Sequence, residues 1–575
     1  MMNTLRVTLS LLFAGAVAAT GVAASGDAFA ARHDTPPPST DDTGCQPGQG
    51  MPVRRMFSRP MVAPAAAPAP PAMTKAAPQG LVESVAQANY ATVIAAPYLP
   101  VDRENYAHRA PNPVHLAASD PVSTFSVDVD TGSYTNVRHM LNEGRLPPVD
   151  AVRTEEFINY FDYGYTVPSS RAKPFGVTTE FAPAPWNPER QLLLIGIQGY
   201  SVPASEIPPA NLVFLVDVSG SMDEPDKLPL LKASLKQIVP KLRAADRISL
   251  VTYAGATCVA LPSTPGNEHA KIAAAIDALG AGGSTNGAAG IDLAYAQAAK
   301  GFIKGGVNRV ILATDGDFNV GTVGVQALKD RIAEKRKSGV ALTTLGFGEG
   351  NYNDEMAVEL ADAGNGSHHY IDSLGEGRRV LVDEMSATLM TIAKDVKIQV
   401  EFNPGVVAEY RLIGYEKRVL AREDFNNDAV DAGEIGAGAR VTALYEITLK
   451  GSKGARVDPL RYASAKDTPA SGELGFLRLR YKAPDGGASQ LIEQPLSADV
   501  AGQASERLRF AAAVAAFAEN LRGGKYVDGF GYDKVAELAR GAQGKDDGGY
   551  RAEMSRLASM AGGMSTEPVA ESPRR

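Results

Sequence analysis

Short, almost continuous apolar runs alternate with amphipathic segments between residues 211 and 393. A strand without polar alternation has to be buried on both faces, and parallel sheets covered by helices on both sides meet that requirement. The expected strands are residues 212–216, 247–253, 309–314, 341–345 and 368–371, with an antiparallel edge at 257–261. The pattern therefore predicts an α/β domain with a doubly wound, mostly parallel sheet over residues 206–395.

Helical patterns separate the strand candidates of this domain. We expect helices at residues 228–242, 270–279, 291–302, 325–337, 355–363 and 378–393. The last of them leads into a strand pattern at residue 396 with no linker between the two. It is therefore expected to connect the α/β domain rigidly to the strands after residue 395.

The segments on either side of the α/β domain have a different character. Strand patterns at residues 396–402, 409–413, 440–449 and 475–481 predict a β-rich domain over residues 396–500. An N-terminal flanking α+β region is expected over residues 120–205, with strands at 124–129, 176–181 and 191–197 and helices at 134–143 and 153–161. If the later strands pair with the earlier ones, the α/β domain is an insertion in a sandwich.

The C-terminal part of the chain is predicted to be helical. Over residues 501–564, Phe510, Val514, Phe517 and Leu521 recur at helical spacing and mark one apolar face. Residues 565–575 form a polar tail.

The N-terminus has the pattern of a signal peptide over residues 1–30. Arg6 precedes an apolar stretch at 7–19, and two small-x-small cleavage sites follow, the better one at Ala28-Phe29-Ala30 and a second choice at Val22-Ala23-Ala24. Residues 31–119 are rich in Pro and Ala and predict a disordered tether, because they lack the large apolar residues that offset ordering entropy. The expected location is periplasmic or secreted.

Charge and composition exclude several classes of protein. A net charge of −8 and a pI near 5.6 argue against a nucleic-acid surface, which needs clustered Lys and Arg. No apolar run after the signal peptide approaches the ~20 residues of a membrane span. The only two cysteines, Cys45 and Cys258, are too few for a disulfide-held scaffold, and both are expected to be unpaired.

Oxygen-bearing side chains gather where the predicted strands end. Asp217, Ser219 and Ser221 follow the first strand, and Asp315 follows another. The Gly-rich loop at residues 280–287 adds Thr285. Ligands of open α/β sheets bind at the carboxyl ends of the strands, and a set of oxygens without thiolate or imidazole suits a hard cation. Few protein ligands and several retained waters favour Mg²⁺, with Mn²⁺ or Ca²⁺ as alternatives.

The order of these residues resembles the metal-ion-dependent adhesion site of von Willebrand factor type A domains. Asp-x-Ser-x-Ser at 217–221, a Thr in a Gly-rich loop and Thr-Asp-Gly at 314–316 match the family pattern. The resemblance covers about residues 211–393 and implies a Rossmann-like fold. The flanking sequences, such as Glu-Glu-Phe-Ile-Asn-Tyr-Phe at 155–161, are similar to those of a family of bacterial exported proteins with this domain at the centre.

The resemblance also implies roles. Ser219 and Ser221 would bind the ion directly, while Asp217, Thr285 and Asp315 would bind it directly or through water. An open position would accept a carboxylate from a protein partner, so the implied function is non-enzymatic, metal-dependent adhesion or assembly. In relatives, binding shifts the final helix, here 378–393, which would change how the β-rich domain sits on the α/β domain.

Two other interpretations use the same ion. A metal-assisted hydrolase would need a general base or an activated water, and no His lies near these residues in the sequence. A structural ion would have its open position filled by an acidic residue of a flanking domain. Three weaker motifs predict no chemistry: the lone Asp-Thr-Gly at 130–132 is a turn or cap, the acidic run at 424–431 is a solvated turn, and adjacent His368 and His369 point to opposite faces of a strand.

Overall fold

The computed structural model describes residues 104–127, 129–283, 287–316, 324–385, 387, 390–430, 432–458, 472–499 and 503–566. The predicted signal peptide, most of the predicted tether and most of the polar tail lie outside the described residues, so these three assignments stay predictions. None of the helices in the described part of the chain is long and apolar enough to cross a membrane.

Strands occur both in the central domain and in the two flanking regions. In chain order they are β1 (His115–Leu116), β2 (Val122–Ser126), β3 (Phe175–Ala184), β4 (Asn187–Gly199), β5 (Ala210–Asp217), β6 (Arg247–Tyr253), β7 (Thr257–Pro265), β8 (Val307–Thr314), β9 (Ala341–Gly346), β10 (His368–Tyr370), β11 (Thr391–Phe402), β12 (Val407–Ile413), β13 (Gly433–Gly436), β14 (Arg440–Leu449), β15 (Glu473–Lys482) and β16 (Gln490–Ser497).

The helices fall into three groups along the chain. They are α1 (Gly132–Asn142), α2 (Thr154–Asn159), α3 (Leu228–Ile238), α4 (His269–Asp277), α5 (Gly287–Lys300), α6 (Val325–Lys335), α7 (Asp354–Ala363), α8 (Leu374–Arg378), α9 (Glu506–Leu521), α10 (Tyr532–Gly541) and α11 (Tyr550–Thr566). A short π-helical turn, Arg379–Asp383, follows α8 directly.

The central sheet has six strands in the order β10-β9-β8-β5-β6-β7. All of its pairs are parallel except β6 with β7, which confirms the doubly wound α/β fold and the antiparallel edge. Val213 and Leu215 of β5 join one core cluster with α5, α6 and α7, and Leu212 and Phe214 join another with α3 and α4. Burial on both faces explains the unbroken apolar run, since each such side chain contributes about 1.5–3 kcal/mol.

The flanking strands from both sides of this domain form a sandwich. One sheet has the order β1-β12-β14-β4-β3, and β4 pairs with β14 along most of its length. In the other sheet β11 pairs with β2, β13 and β15. Ile195, Val441 and Phe402 belong to the apolar cluster between the sheets. The α/β domain is therefore inserted between β4 and β11, the arrangement that the sequence left open.

The C-terminal helices cover the outer face of the first flanking sheet. Phe510 and Phe517 of α9 make edge-on ring contacts with Phe161 and Phe157. The predicted apolar face is buried, and the alanines at 511–513, 515–516 and 518 are buried too. Small side chains let neighbouring elements approach α9 on nearly all sides.

The predicted final helix, residues 378–393, is correct in its first part, since residues 374–383, 385 and 387 are helical, but its predicted end is wrong. The helix α8 ends at Arg378, the π-helical turn ends at Asp383, and the chain is already a strand at Thr391. Thr391 and Ala393 pair with β13. At the end of the predicted helix, pairing with β13 overrides the local helical pattern, because tertiary context routinely overrides intrinsic propensity.

Two expectations about the N-terminal half also need correction. Residues 104–119, assigned to the tether, contact the folded chain: His115–Leu116 pairs with β12, and the side-chain amide of Asn112 donates to the carbonyl of Gly414 at 2.7 Å. Cys258 on β7 is disulfide-bonded rather than free. The sequence contains one other cysteine, Cys45, which lies outside the described residues.

Candidate metal centre

Two carboxylates lie side by side at the carboxyl edge of the central sheet. Asp217 is the last residue of β5, and Asp315 follows the last residue of the neighbouring strand β8. Neither residue has exposed surface. Burial, together with the charge of Asp315, raises the pKa of Asp217 to about 6, against hydrogen bonds from Ser219 that lower it.

The two serines occupy the turn that leaves β5. The backbone N–H of Ser219 donates to Oδ1 of Asp217 at 2.8 Å, which holds the carboxylate against the turn. The hydroxyl oxygens of Ser219 and Ser221 are 3.1 Å apart. Ser219 is buried and Ser221 is exposed, so this pair reaches from the carboxylates to the surface.

A second loop lies against this turn. The N–H of Gly220 donates to the carbonyl of Gly283 at 3.1 Å, and the N–H of Gly282 donates to the carbonyl of Val218 at 2.7 Å. Gly283 has a φ of +91°, a conformation that favours glycine. Thr285 belongs to the same loop but lies outside the described residues, so its place beside the carboxylates stays a prediction.

One acceptor of this group has no donor in the described part of the chain. Oδ2 of Asp217 is buried and receives no hydrogen bond of standard geometry from a described residue, although the hydroxyl of Tyr253 lies close enough to this carboxylate to lower its pKa. A buried carboxylate oxygen without a partner is costly, and a bound cation removes that cost. Asp217, Ser219, Ser221 and Asp315 together offer oxygens alone, so the residues present fit a hard divalent ion.

Sequence reasoning missed two residues beside Asp315. Nζ of Lys227, from the segment before α3, lies 3.2 Å from Oδ2 of Asp315 and 3.1 Å from Oδ1 of Asn351. The side-chain amide of Asn351 donates to the same Asp315 oxygen at 3.1 Å. Nothing in the sequence signals either contact, because residues 227 and 351 come from separate loops that only the folded sheet brings together.

The loop between β9 and α7 forms one wall of the site. Gly316 has a φ of +90°, and a Cβ there would lie 2.2 Å from the backbone N of Asn353. The flanking region holds this loop from outside, since Oε1 of Glu104 accepts from the N–H of Gly350 at 3.0 Å and the N–H of Asn105 donates to Tyr352. Gly316, the residue after the predicted ligand Asp315, therefore packs against the β9–α7 loop. The same loop contacts the N-terminal flank.

The adjacent histidines are core residues, one of the two structural roles, core or surface, that the sequence left open. His368 bonds through Nδ1 to the hydroxyl of Thr344 at 2.9 Å and through Nε2 to that of Tyr352 at 2.7 Å. His369 bonds to Ser367 at 2.9 Å. Burial lowers the pKa of His368 to about 4 and that of His369 to about 3, so both are neutral at pH 7.

The other two weak motifs also have structural roles. Asp130 accepts a hydrogen bond from the backbone N–H of His368 at 2.8 Å, which ties the start of α1 to the central sheet. Asp428, in the acidic run, is hydrogen-bonded to Arg480 at 3.1 Å and to Ser489 at 2.7 Å. Both carboxylates are thus satisfied by protein groups.

A cluster of His139, Glu143 and Glu349 has ligand atoms close enough to hold a metal ion. His139 lies on α1, Glu143 directly follows this helix, and Glu349 belongs to the β9–α7 loop. Arg145 forms ion pairs with both glutamates. The guanidinium already compensates the carboxylate charge, so this cluster is accounted for as an ion-pair network.

Three protein families match successive parts of the chain. Residues 211–377 match "von Willebrand factor type A domain", residues 100–194 match "von Willebrand factor", and residues 387–564 match "Uncharacterized protein YfbK, C-terminal". The first match spans the central sheet with Asp217 and Asp315, and the other two span the flanks.

Individual relatives match different shares of the chain. The Uncharacterized protein YfbK of Escherichia coli is 51% identical over 462 residues, covering 79% of this chain and 80% of the relative. The Uncharacterized protein sll0103 of Synechocystis is 26% identical over 292 residues, covering 50% and 65%. Among solved structures, von Willebrand factor type A from Catenulispora acidiphila is similar at 17% identity and a TM-score of 0.39, covering 67% of this chain and 89% of that one.

Proposed function

The chain belongs to the YfbK family and carries a von Willebrand factor type A domain between two flanking regions, and we propose that it is a metal-dependent protein-binding module. In this proposal Asp217, Ser219, Ser221, Thr285 and Asp315 hold one Mg²⁺, with Mn²⁺ or Ca²⁺ as substitutes. A free position on the ion takes a carboxylate from a partner protein, for adhesion or assembly outside the cytoplasm.

The observation that carries the proposal is the buried acceptor on Asp217. Two carboxylates share a buried position at the ends of β5 and β8, and Oδ2 of Asp217 receives no hydrogen bond from a described residue. Burial and a like charge this close both raise the cost of ionising Asp217, which is reflected in its raised pKa. A divalent cation relieves the repulsion and fills the empty acceptor position, and it supplies a Lewis-acidic centre for an anionic partner group.

The surroundings of the carboxylates favour binding over hydrolysis. Hydrolysis needs a base within hydrogen-bond reach of the attacking water. Oδ1 of Asp217 is engaged by the N–H of Ser219, and Oδ2 of Asp315 is engaged by Lys227 and Asn351. Oδ2 of Asp217 would be a ligand of the ion in this proposal, so it would not be available as a base. The side that faces solvent is lined by the hydroxyl of Ser221 instead, which is a poor base and a good ion ligand.

Calorimetry with Mg²⁺ tests the proposal. Wild-type protein is expected to bind one ion. Asp217→Ala is expected to bind it at least about a hundredfold more weakly, because replacing a residue that only supports a metal ligand already lowers metal affinity by up to about a hundredfold. Asp277→Ala is the matched control, because it removes a surface carboxylate that pairs with Lys236 on the same domain. Equal Mg²⁺ affinity in wild type and Asp217→Ala would show that the assigned site is wrong.

A second experiment distinguishes an ion with a free coordination position from an ion whose position is filled by a carboxylate of the protein itself. Short peptides with and without a Glu side chain are titrated into the Mg²⁺-loaded protein and into protein treated with EDTA. Binding that requires both Glu and Mg²⁺ supports the module. Mg²⁺ binding without any peptide binding would indicate a structural ion closed by the protein's own carboxylate.

A further inference from the structure

Lys227 is unusual because its charged end is buried next to a predicted metal ligand. The residue is 6% exposed, and its ammonium lies between Asp315 and Asn351 at 3.2 and 3.1 Å. Buried lysines are rare unless they are paired. The pairing here uses a carboxylate that the metal ion would also need.

The position of the lysine is fixed by the loop beneath it. Gly348 has a φ of +68°, and a Cβ at that position would lie 2.3 Å from Cε and 2.4 Å from Cγ of Lys227. The aliphatic stem therefore occupies the space that a side chain at residue 348 would take. Stem and ammonium are held from two sides, by Gly348 and by Asn351, so the lysine is built into the site.

The ammonium changes the charge that the ion meets. Asp217 and Asp315 alone would neutralise a divalent ion, leaving little attraction for an anionic partner. With Lys227 beside Asp315, one negative charge is already compensated, and the loaded site keeps a net positive charge. Three acidic residues precede Lys227 in the same segment. Asp223 and Glu224 are exposed and Asp226 is half-buried, so water screens their charges more than it screens the buried pair of Lys227 and Asp315.

We propose that Lys227 sets the charge of the metal site, so that the ion binds less tightly but the loaded site attracts a carboxylate. This inference rests on the proposed function. The lysine repels the cation and pairs with Asp315 in the metal-free protein, and it adds to the positive field that a partner's carboxylate meets once the ion is bound. Lys227 is thus a specificity-determining residue for acidic partners.

Neutral substitutions at residue 227 provide the test. Lys227→Met and Lys227→Gln keep most of the length of the stem and remove the charge, and Lys236→Met is the control because it breaks a surface pair with Asp277. Both neutral variants are expected to bind Mg²⁺ about tenfold more tightly than wild type, since a positive charge near the ion has gone. In EDTA their melting temperatures should fall, because two buried carboxylates lose a counter-charge.

Mg²⁺ titrations at increasing concentrations of sodium acetate test whether the loaded site attracts a carboxylate. Acetate that binds the loaded site must tighten apparent Mg²⁺ binding by linkage. We expect this gain in wild type and Lys236→Met, and a smaller gain in both neutral variants. If wild type binds no Mg²⁺, the proposed function and this inference both fail. If wild type binds Mg²⁺ and the neutral variants bind it equally well, or gain as much from acetate, only the role of Lys227 is overturned.

Discussion

Single residues decide the chemistry at the carboxyl edge of the central sheet. Asp217 and Asp315 are both buried, yet Asp315 is compensated by Lys227 while Oδ2 of Asp217 has no donor among the described residues. His368, which is buried in the same domain, has partners on both ring nitrogens, the hydroxyls of Thr344 and Tyr352. Asp217 differs from these neutral groups because it is a carboxylate buried next to a second carboxylate.

The buried histidines predict how stability depends on pH. The folded protein holds the pKa of His369 near 3, whereas the unfolded chain protonates it near the ordinary histidine pKa of 6.5. Protons therefore bind the unfolded state preferentially below pH 6.5, and the free energy of unfolding should fall as pH drops from 6.5 toward 3. The slope for this one group approaches about 1.4 kcal/mol per pH unit.

Urea unfolding of wild type and His369→Gln at pH 7, 5.5 and 4.5 checks this expectation. The variant should show a flatter dependence, and the difference between the two proteins isolates His369 from other titrating groups. His108→Gln is the control, because the side chain of His108 is 77% exposed. Parallel pH profiles for wild type and His369→Gln would contradict the assignment.

Elements come together at the site through loops rather than through helices. The turn after β5, the loop before α5 and the loop between β9 and α7 meet at one edge of the sheet. Gly316 makes the last contact possible, since a side chain there would collide with the backbone of Asn353. The N-terminal flank presses on the same loop through Glu104 and Asn105, so the loop connects the predicted metal site with the flanking region.

A substitution at Gly316 should therefore affect both stability and metal binding. Gly316→Ala is expected to cost about 1–3 kcal/mol, because it adds a steric conflict to a left-handed φ, and to weaken Mg²⁺ binding by displacing Asp315. Gly305→Ala is the matched control, with a φ of +74° and nothing within 4 Å of its Cβ position. Thermal unfolding and Mg²⁺ calorimetry distinguish them. Unchanged Mg²⁺ affinity in Gly316→Ala would show that the contact between Gly316 and the β9–α7 loop does not affect the metal site.

At the scale of the whole molecule, buried charges join the central domain to its flanks. Arg153, just before α2, pairs with Asp354 at the start of α7 and with Glu156. Arg138 on α1 pairs with Asp372 at 2.6 Å and with Glu376 at 2.9 Å. Breaking a buried ion pair by removing one partner leaves an uncompensated charge, so these contacts make the flanks difficult to separate from the domain.

Arg153→Met tests this connection. The change leaves Asp354 and Glu156 buried without their counter-charge, and we expect a loss of about 3–5 kcal/mol in the free energy of unfolding. Arg171→Met is the control, since Arg171 and Glu206 form an exposed pair at 3.7 Å. Denaturant unfolding followed by circular dichroism measures both. A loss below about 1 kcal/mol for Arg153→Met would mean that the ion pairs of Arg153 do not hold the flank on the domain.

Limited proteolysis of the mature protein tests the extent of the folded chain. The composition of residues 31–103 predicts early cleavage there, and the contacts of residues 104–119 predict a resistant fragment that starts near Glu104 rather than near Asp120. Mass spectrometry of the fragments gives the boundary, and a mature N-terminus near Ala31 would support export. Early cleavage within residues 211–316 would contradict this organisation.

The sequence by itself determined the central sheet and the residue types at its carboxyl edge. Unbroken apolar runs and strand-end carboxylates are local signals, because burial on both faces and the position of Asp217 after β5 are set within a few residues. Tertiary structure alone decided the pairing of β4 with β14, the end of the predicted final helix, and the meeting of Lys227 with Asp315. Each of these depends on residues far apart in the chain, where strand pairing and burial outweigh local propensity.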